Sequence, residues 1–396
     1  MDYLMNVYKR LPVAFERGEG VWLWDTQGNQ YLDALSGIAV CGLGHAHPTV
    51  TKAIQEQAAK ILHTSNVYQI PNQITLAEIL CRLSGLDQAF FCNSGAEAIE
   101  ATLKLIQLYG HHKGIACPQT IVMTNSFHGR TLATIAAGGS QKAQAGFEPL
   151  MPGFIRVPYN NIAALENIAD PQNIAAVLVE PIQGESGIQI PDKDYLRQIR
   201  QICNKNNWLM ALDEVQTGLG RTGTLFAYQQ AATEDPTSAP LMPDILALAK
   251  ALGNGVPIGA CLAKETVANL FQPGKHGSTF GGNPLCTAAA LATVKEIETH
   301  KLWENAAIQG QRLLQGLQDK LKDHPHVKAI RGKGLMIGIE LDRPCRDIML
   351  LALKKRLLFT VSNETVIRLL PPLIINETHI QQIVHTLPEL IDEYIK

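Results

Sequence analysis

The sequence has 396 residues, of which 46% are hydrophobic and 18% are charged, a composition typical of globular proteins. With a formal net charge of −2 it shows no excess of positive charge, which argues against nucleic acid or an anionic membrane as a partner. No apolar run approaches the length of a membrane span, and the N-terminus lacks the apolar stretch of a signal peptide, so we expect a cytoplasmic protein.

In chain order, the first 50 or so residues, with GVWLWDTQGNQYLD, indicate a small strand-rich arm. Short apolar runs then alternate with helical patterns, which predicts an α/β fold with a largely parallel sheet. The predicted strands are 88–92, 120–124, 175–180, 208–212 and 244–249, and the predicted helices include 96–109 and 193–206. Beyond residue 285, long helical patterns at 285–299 and 303–322 indicate a separate α+β lobe.

A chain of this length is too long for one ordinary hydrophobic core, which predicts more than one lobe. We divide it into an N-terminal segment that joins the small domain (1–55), a large domain (56–284) and a C-terminal small domain (285–396). The eight cysteines show neither C-x-x-C nor a zinc-ligand spacing, and several lie in apolar runs, which predicts buried thiols in a reducing cytosol. His45 and His47 have no third ligand candidate nearby, so no metal site is predicted.

Polar or glycine-rich segments follow each of the five predicted strands. They are NSGAEA, NSFHGRT, EPIQGESG, DEVQTG and Lys250 with the glycines behind it. Because ligands bind beyond the carboxyl ends of the strands in open α/β sheets, we expect these five segments to meet at one site.

The segment NSGAEA starts a helix, with Ser94 and Glu97 at the spacing of a capping box. Gly95 and Ala96 leave the first backbone N–H groups uncovered, which suits a phosphate. The alternative is a capped helix without a ligand, because capped helices are common.

The next two segments offer an aromatic ring, an arginine and an acid. Phe127 could stack on a flat ring, and Arg130 could bind a carboxylate, although an ordinary turn with a solvated arginine is the alternative. His128 is more often structural than catalytic in such a position. Asp213 would need a partner if buried, either a basic side chain or the pyridine nitrogen of a cofactor, and Gln216 would point to the same side.

Lys250 is the one charged residue of ILALAKALGNGVPIGA, between an apolar strand and a loose glycine-rich run. Desolvation at such a place lowers the pKa of a lysine, which makes it a nucleophilic amine able to form a Schiff base. The alternative is a lysine whose ammonium reaches the surface. With a buried acid, a phosphate-ready helix start and an aromatic ring, it completes the set of groups that bind pyridoxal phosphate.

The stretch GLGRTG (218–223) matches the dinucleotide-binding pattern G-x-G-x-x-G. That pattern requires a helix directly behind the last glycine and an acid about 20 residues further on, whereas TLFAYQQ follows here. A nicotinamide-dependent oxidoreductase is therefore a remote alternative.

The segments LDEVQTGLGRTG, ALAKALGNGVPIGA, FCNSGAEA, SFHGRT and STFGGNPL closely resemble the class III pyridoxal-phosphate aminotransferases, and the likeness extends over nearly the whole chain. The resemblance implies pyridoxal 5'-phosphate as cofactor and the α/β architecture called fold type I. That architecture has a large domain around a mainly parallel seven-stranded sheet and a smaller α+β domain. It also implies a homodimer with shared active sites.

Carried over by motif, Lys250 resembles the lysine that forms the Schiff base with the cofactor, and Asp213 resembles the partner of its pyridine nitrogen. Gln216 is similar to the residue near the phenolic oxygen, and Phe127 to the aromatic that stacks on the ring. Gly95 and Ala96 match the phosphate-binding helix start.

The substrate residues are likewise implied by the resemblance. Thr279 resembles a phosphate ligand contributed by the neighbouring subunit, with Ser278 close to substrate. Arg130 is similar to the residue that binds the carboxylate of N-acetylornithine, and Arg368 to the one that binds the α-carboxylate of 2-oxoglutarate. Glu185 stands where the family has an acid that pairs with that arginine during the first half-reaction.

The resemblance is strongest to members that move the δ-amino group of N2-acetyl-L-ornithine to 2-oxoglutarate. They give N-acetyl-L-glutamate 5-semialdehyde and L-glutamate by ping-pong kinetics, in arginine biosynthesis. Donors such as succinylornithine, succinyl-diaminopimelate, ornithine or 4-aminobutyrate stay open, as does a non-catalytic binding module. Ser186 and Asn254 stand where the family commonly has glycine, and Ile99 where it commonly has asparagine.

Overall fold

The computed structural model describes residues 3–231 and 240–396, which contain three β-sheets. Their strands are β1 Phe15–Glu19, β2 Trp22–Asp25, β3 Gln30–Asp33, β4 Gln88–Cys92, β5 Gln119–Met123, β6 Phe154–Val157, β7 Ile174–Val179, β8 Leu209–Asp213, β9 Ile245–Leu248, β10 Gly259–Ala263, β11 Val327–Lys333, β12 Met336–Leu341, β13 Leu357–Leu358, β14 Thr360–Ser362 and β15 Val366–Leu369. The described α-helices are Pro48–Ala58, Pro71–Ser84, Gly95–His112, Leu132–Ala137, Gln141–Gln144, Ile162–Glu166, Tyr195–Asn206, Glu265–Ala268, Pro284–Thr299, Leu302–Leu321, Ile348–Lys354 and Glu377–Ile395.

The largest sheet has seven strands in the order β4-β10-β9-β8-β7-β5-β6. The strands from β9 to β6 are parallel to one another, and β10 is antiparallel to both β9 and β4. Every residue of β7, β8 and β9 is buried, as expected for parallel strands with both faces covered. The predicted α/β fold with a mainly parallel seven-stranded sheet is therefore confirmed.

Two apolar clusters lie on opposite faces of this sheet, because alternate residues of a strand point to opposite sides. Ile99 and Ile106 of the helix Gly95–His112 pack with Leu178 of β7. Tyr195 and Ile199 of the helix Tyr195–Asn206 pack in the other cluster with Val177 and Val179 of the same strand. The two helices that follow β4 and β7 thus cover the two faces of the sheet.

All five predicted strands are confirmed to within one residue at each end, but two strands of the sheet, β6 and β10, were not predicted. The glycine-rich run after Lys250 was expected to be loose, and this is wrong at its end, because β10 begins at Gly259. Glycine and alanine have low strand propensity, so the sequence of β10 carries a weak signal. Pairing with both β9 and β4 overrides that local preference.

The two smaller sheets involve both ends of the chain. The first has the order β1-β2-β3-β13, in which β13 pairs in parallel with β3 and so joins the N-terminal arm to the C-terminal part. The second, β11-β12-β15-β14, is antiparallel and carries Arg368 on β15. The domain limits at 55 and 284 stay predictions.

A left-handed turn at Ser36–Ala39 follows β3. Its four residues have φ values of 48°, 64°, 68° and 62°. For L-residues this conformation costs about 1–2 kcal/mol each, so the turn must be held by its surroundings. Asp33 Oδ1 accepts the N–H of Ser36 at 2.8 Å, and Ser36 Oγ donates to the carbonyl of Leu370 at 2.7 Å.

The cysteines are all free thiols, and four of them, Cys92, Cys203, Cys261 and Cys345, are buried as expected. Cys117 is exposed, which contradicts the expectation for that residue, because it lies in the loop before β5 rather than in an apolar strand. Among the described helices, none combines the length and hydrophobicity that crossing a bilayer requires.

Candidate active site

A cavity of about 400 Å³ opens at the carboxyl ends of β7, β8 and β9, where the five polar segments were expected to meet. Eight of the predicted site residues line it: Gly95, Ala96, Phe127, Arg130, Glu185, Asp213, Gln216 and Lys250. The predicted convergence of the strand ends on one site is therefore confirmed as geometry, while the roles of the individual residues stay predictions.

The start of the helix Gly95–His112 forms one wall of the cavity. Ser94 Oγ accepts the N–H of Glu97 at 3.2 Å, and the Glu97 carboxylate accepts the N–H of Asn93 at 2.7 Å. A Cβ on Gly95 would lie 2.8 Å from Val215 Cγ1, so any other residue there requires the Val215 side chain to move. Because the first N–H groups of a helix lack intrahelical acceptors, this wall is suited to bind an anion.

Asp213, at the end of β8, is 5% exposed and is held by two hydrogen bonds. Its Oδ2 lies 2.8 Å from His128 Nδ1, and its Oδ1 accepts the N–H of Val215 at 3.1 Å. His128 is itself buried. The sequence left the partner of Asp213 open, and the structure identifies it as a histidine from the loop after β5.

Glu214 points away from the cavity, although it is adjacent to Asp213. Its carboxylate accepts the N–H groups of Ala227 and Tyr228 at 2.8 and 2.9 Å and the hydroxyl of Thr217 at 3.1 Å. Burial outweighs these bonds and raises the pKa of Glu214 to about 7. Its role is to hold the short 3-10 turn Ala227–Gln229, which explains why two acids stand side by side.

Lys250 follows β9 after one intervening residue, Ala249, and opens the 3-10 turn Lys250–Leu252. Its φ of +42° lies in the left-handed region, a strained conformation that is often found at functional sites. Burial lowers the pKa of Lys250 to about 8, with a further lowering by Arg368 and an opposing effect of nearby carboxylates such as Glu185. A lysine with this pKa is able to act as a base near neutral pH.

Arg368 on β15 is almost fully buried, and it contacts Glu185, which lines the cavity. Its Nη1 donates to Glu185 Oε1 at 2.6 Å and to the carbonyl of Gly184 at 3.2 Å. Burial alone would raise the pKa of Glu185, but the positive charges of Arg368, Lys250 and Arg130 hold it below its ordinary value. The pair places an ionised acid against a buried guanidinium at the edge of the cavity.

Three predicted site residues do not line the cavity of their own chain: Arg368, which contacts the cavity residue Glu185, and Ser278 and Thr279. Ser278 Oγ accepts hydrogen bonds from Asn93 Nδ2 at 3.2 Å and from the N–H of Gly281 at 3.0 Å. Thr279 is exposed. The proximity of Ser278 to Asn93, itself a residue of the cavity wall, places this segment beside the site but outside it.

The two departures from the family pattern have defined contacts. Ser186 Oγ donates to Gln183 Oε1 at 3.1 Å. Asn254 accepts the N–H of Leu43 at 2.8 Å and donates to the carbonyl of Gly44 at 3.1 Å, with a φ of +46°. The Asn254 side chain therefore ties the loop after Lys250 to the segment that follows the left-handed turn.

The stretch 218–223 forms turns rather than a strand-to-helix junction, which argues against a dinucleotide site. Its Arg221 is fully buried and donates through Nη1 to the carbonyls of Leu335 and Pro371. Sequence reasoning also missed Glu180, which lines the cavity directly after β7. The signal that could have found Glu180 is the one that pointed to Asp213, namely an acid at the end of a buried apolar run.

Similarity to known proteins covers nearly the whole chain. The family model described as aminotransferase class-III matches residues 3–391. The chain belongs to the class III aminotransferase family. It is 52% identical over 397 aligned residues to the acetylornithine aminotransferase of Nitrosomonas europaea, covering 100% of this chain and 99% of that protein. It is 46% identical to the acetylornithine aminotransferase of Methanocaldococcus jannaschii, covering 100% and 97%.

Solved structures of the family superpose closely on this fold. The acetylornithine aminotransferase from Elizabethkingia anophelis has a TM-score of 0.87 at 36% identity, covering 99% of this chain and 96% of that chain. The ornithine aminotransferase from Toxoplasma gondii has a TM-score of 0.92 at 32% identity, covering 99% and 93%. Both the fold and the family predicted from the motifs are thereby confirmed.

Proposed function

We propose that the chain is a pyridoxal-phosphate-dependent aminotransferase that moves the δ-amino group of N2-acetyl-L-ornithine to 2-oxoglutarate. The products are N-acetyl-L-glutamate 5-semialdehyde and L-glutamate, a reaction of arginine biosynthesis. The observation that carries the proposal is one cavity in which Lys250, Asp213 and an anion-binding helix start come together. The 52% identity to an acetylornithine aminotransferase over the full chain supports the choice of substrate.

The residues of the cavity fit pyridoxal phosphate. The helix start at Gly95 suits the phosphate, and buried Asp213 suits a protonated ring nitrogen. Within the described chain, buried Gln216 Oε1 has no hydrogen-bond partner, as expected of a group that faces a ligand. Phe127 lines the cavity beside Arg130, whose guanidinium lies 5.5 Å from the ring centroid.

When bound, the cofactor supplies an electron sink that stabilises negative charge at the substrate carbon. Lys250 Nζ would hold the cofactor at rest. In the reaction it would be the base that takes a proton from that carbon of the amine substrate and, in the second half-reaction, the acid that gives a proton to the carbon of the keto acid. Its pKa of about 8 keeps a usable fraction of free amine near neutral pH. Asp213, with its orientation fixed by His128, holds the proton on the ring nitrogen.

Two arginines suit the two substrates. Exposed Arg130 binds the carboxylate of N-acetylornithine, and buried Arg368 binds the α-carboxylate of 2-oxoglutarate. Glu185, at 2.6 Å from Arg368, neutralises that arginine while the amine substrate is bound. Within the described residues Arg368 Nε is buried without a hydrogen bond, and it is therefore a donor suited to an incoming carboxylate.

The proposal includes a cytoplasmic homodimer with shared sites. Thr279 is exposed and Ser278 lies outside the cavity of its own chain, as expected of residues that serve a neighbouring subunit. Near them, Val67, Tyr68 and Phe280 are 83%, 68% and 60% exposed, an apolar surface suited to burial in an interface. Eight free thiols fit a reducing compartment.

Ornithine is the second candidate donor, since the superposition on an ornithine aminotransferase has a TM-score of 0.92. Purified protein loaded with pyridoxal phosphate should be yellow, and borohydride should attach the cofactor covalently to Lys250 but not to the Lys250→Ala variant. With 2-oxoglutarate as acceptor, kcat/KM should be highest for N-acetylornithine. A colourless protein would refute the mechanism. A higher kcat/KM for ornithine would show that ornithine, and not N-acetylornithine, is the amine donor.

The role of Glu185 is tested by the two half-reactions measured separately. The Glu185→Gln variant should change the selectivity among amine donors while leaving the reaction with 2-oxoglutarate largely intact, because Arg368 then stays unpaired throughout. Glu298→Gln, which breaks a surface pair with Arg82 at 2.8 Å, is the control. Equal losses in both half-reactions would rule out the switch.

A further inference from the structure

Glu180 is a cavity acid to which the proposed reaction assigns no role. It follows β7 directly, and the β7–β8 register, with Val179 opposite Leu212, makes it the neighbour of Asp213 on the adjacent strand. Its side chain is 8% exposed and lines the cavity. Resting on the proposed function, we propose that Glu180 is a positioning residue that works as a neutral carboxylic acid and anchors the loop Phe127–Arg130.

The anchoring contact is a hydrogen bond at the first residue of that loop. Glu180 Oε2 accepts the N–H of Phe127 at 3.0 Å, and Asp213 Oδ2 binds His128, the next residue, at 2.8 Å. Two acids from adjacent strands thus hold two consecutive residues of one loop. The loop carries the ring that stacks on the cofactor, the partner of Asp213 and the arginine for the amine substrate.

Close packing around Gly129 also restricts the conformation of the loop. Gly129 has a φ of +136°, and a Cβ there would lie 2.6 Å from Thr134 Oγ1 and 3.0 Å from the Cβ of Ala96. The loop is therefore pressed against the helix start that suits the phosphate. A loss of the Glu180 contact frees the first residue of the loop and, with it, the spacing between the stacking ring and the helix start.

The charges around Glu180 explain why it is neutral. Asp213 has His128 as partner and Glu185 has Arg368, both within 3 Å, whereas the hydrogen bond that Glu180 accepts comes from an uncharged backbone N–H. A second anion beside Asp213 would be unfavourable in this buried place. Neutral Glu180 still accepts the Phe127 N–H, so anchoring does not require ionisation.

Some of the groups around Glu180 raise its pKa and others lower it. Burial raises the pKa of Glu180 well above its ordinary value, and the negative charges of Asp213 and Glu185 add to this. The Phe127 N–H and the ammonium of Lys250 oppose it. Tyr159 donates its hydroxyl to the backbone carbonyl of Glu180 at 3.2 Å and contributes no charge, since its own pKa is raised by burial.

Two variants of similar size separate anchoring from charge. Glu180→Gln keeps an acceptor for Phe127 and is always neutral, whereas Glu180→Met keeps the volume and loses the acceptor. Leaving a buried N–H unpaired costs enough to weaken binding about tenfold. We expect the Met variant to bind pyridoxal phosphate about tenfold more weakly than the Gln variant, by titration of the visible absorbance. Equal losses in the two variants would overturn the proposal.

A second measurement needs neither substrate nor catalysis. Urea unfolding of the full chain without cofactor is compared for wild type and Glu180→Gln between pH 5 and 8. Over the part of this range in which native Glu180 keeps a proton that the unfolded chain loses, the Gln variant should gain about tenfold in its folding equilibrium per pH unit relative to wild type. The gain should extend to higher pH in a Lys250→Met background, where the opposing ammonium is absent.

A difference that does not change with pH in either background would show that Glu180 ionises in the native state, and the proposal would fall. The unfolding result does not depend on the amine donor or on turnover. A failure of the proposed function in the donor panel is therefore distinguishable from a failure of the neutral-acid role of Glu180.

Discussion

The Lys250→Met variant should be more stable than wild type at neutral pH when the cofactor is removed. Burial lowers the pKa of Lys250 from 10.5 to about 8, and each pKa unit corresponds to about 1.4 kcal/mol. Between these pH values the native chain binds fewer protons than the unfolded chain, so this group lowers the free energy of unfolding as the pH falls from 10.5 to 8. Below pH 8 the full cost of about 3 kcal/mol is present.

The assay is urea unfolding of both proteins at several pH values from 7 to 10.5. Methionine is unbranched like lysine, is shorter by only the terminal nitrogen and carries no charge, so the variant should gain about 3 kcal/mol at pH 7 and lose that gain as the pH approaches 10.5. Lys60→Met, at an exposed position after the helix Pro48–Ala58, controls for the loss of a positive charge as such. A gain that is independent of pH would refute the reasoning, because it would come from packing and not from a buried ammonium.

Three further predictions concern charged groups outside the cavity, of which Glu214 and Arg221 are buried and His45 is half-buried. Burial raises the pKa of Glu214 from 4.5 to about 7, so as the pH rises through that interval wild type should lose about 3 kcal/mol more than Glu214→Gln, by urea unfolding at pH 4.5 and 8. Although burial opposes it, the Asp33 carboxylate raises the pKa of His45 from 6.5 to about 9. The stability that this pair contributes, about 3 kcal/mol, is complete below pH 6.5 and is lost as the pH rises through 9. In thermal unfolding, wild type should therefore lose this stability relative to His45→Asn over that pH range. Arg221→Met leaves the carbonyls of Leu335 and Pro371 unpaired beside β15, so it should destabilise the chain by about 2 kcal/mol. It should also raise KM for 2-oxoglutarate several-fold more than KM for the amine, and equal changes in steady-state kinetics would show that Arg221 does not position β15.

The sequence predicted those parts of the fold and site that depend on local patterns. Strands β7, β8 and β9 are continuous apolar runs, and parallel pairing brings their polar ends to one edge, so Asp213 and Lys250 were recognisable from their positions alone. The helix start at Gly95 was recognisable from its cap, which the structure confirms. Each of these signals is confined to a few consecutive residues.

The parts that were missed depend on contacts between distant segments. His128 is 85 positions from Asp213, and nothing in SFHGRT distinguishes a histidine that binds an acid from one that faces solvent. Asn254 contacts the backbone of Leu43, 211 positions away, through a side-chain amide that leaves no periodic pattern. Strand β10 was missed because its pairing partners, not its own residues, make it a strand.

The left-handed turn at Ser36–Ala39 bears on the order in which the chain folds. Besides the local Asp33, its stabilising partners are Arg221, 185 positions away, and Leu370, 334 positions away, so the turn is fully stabilised only when both distant residues are in place. Contacts between such distant residues form slowly, because closing a long loop costs entropy before any contact compensates for it. Val40, the next residue, lines the cavity. We therefore expect a refolding chain to recover its helical circular dichroism before its affinity for pyridoxal phosphate, and simultaneous recovery of the two would contradict this order.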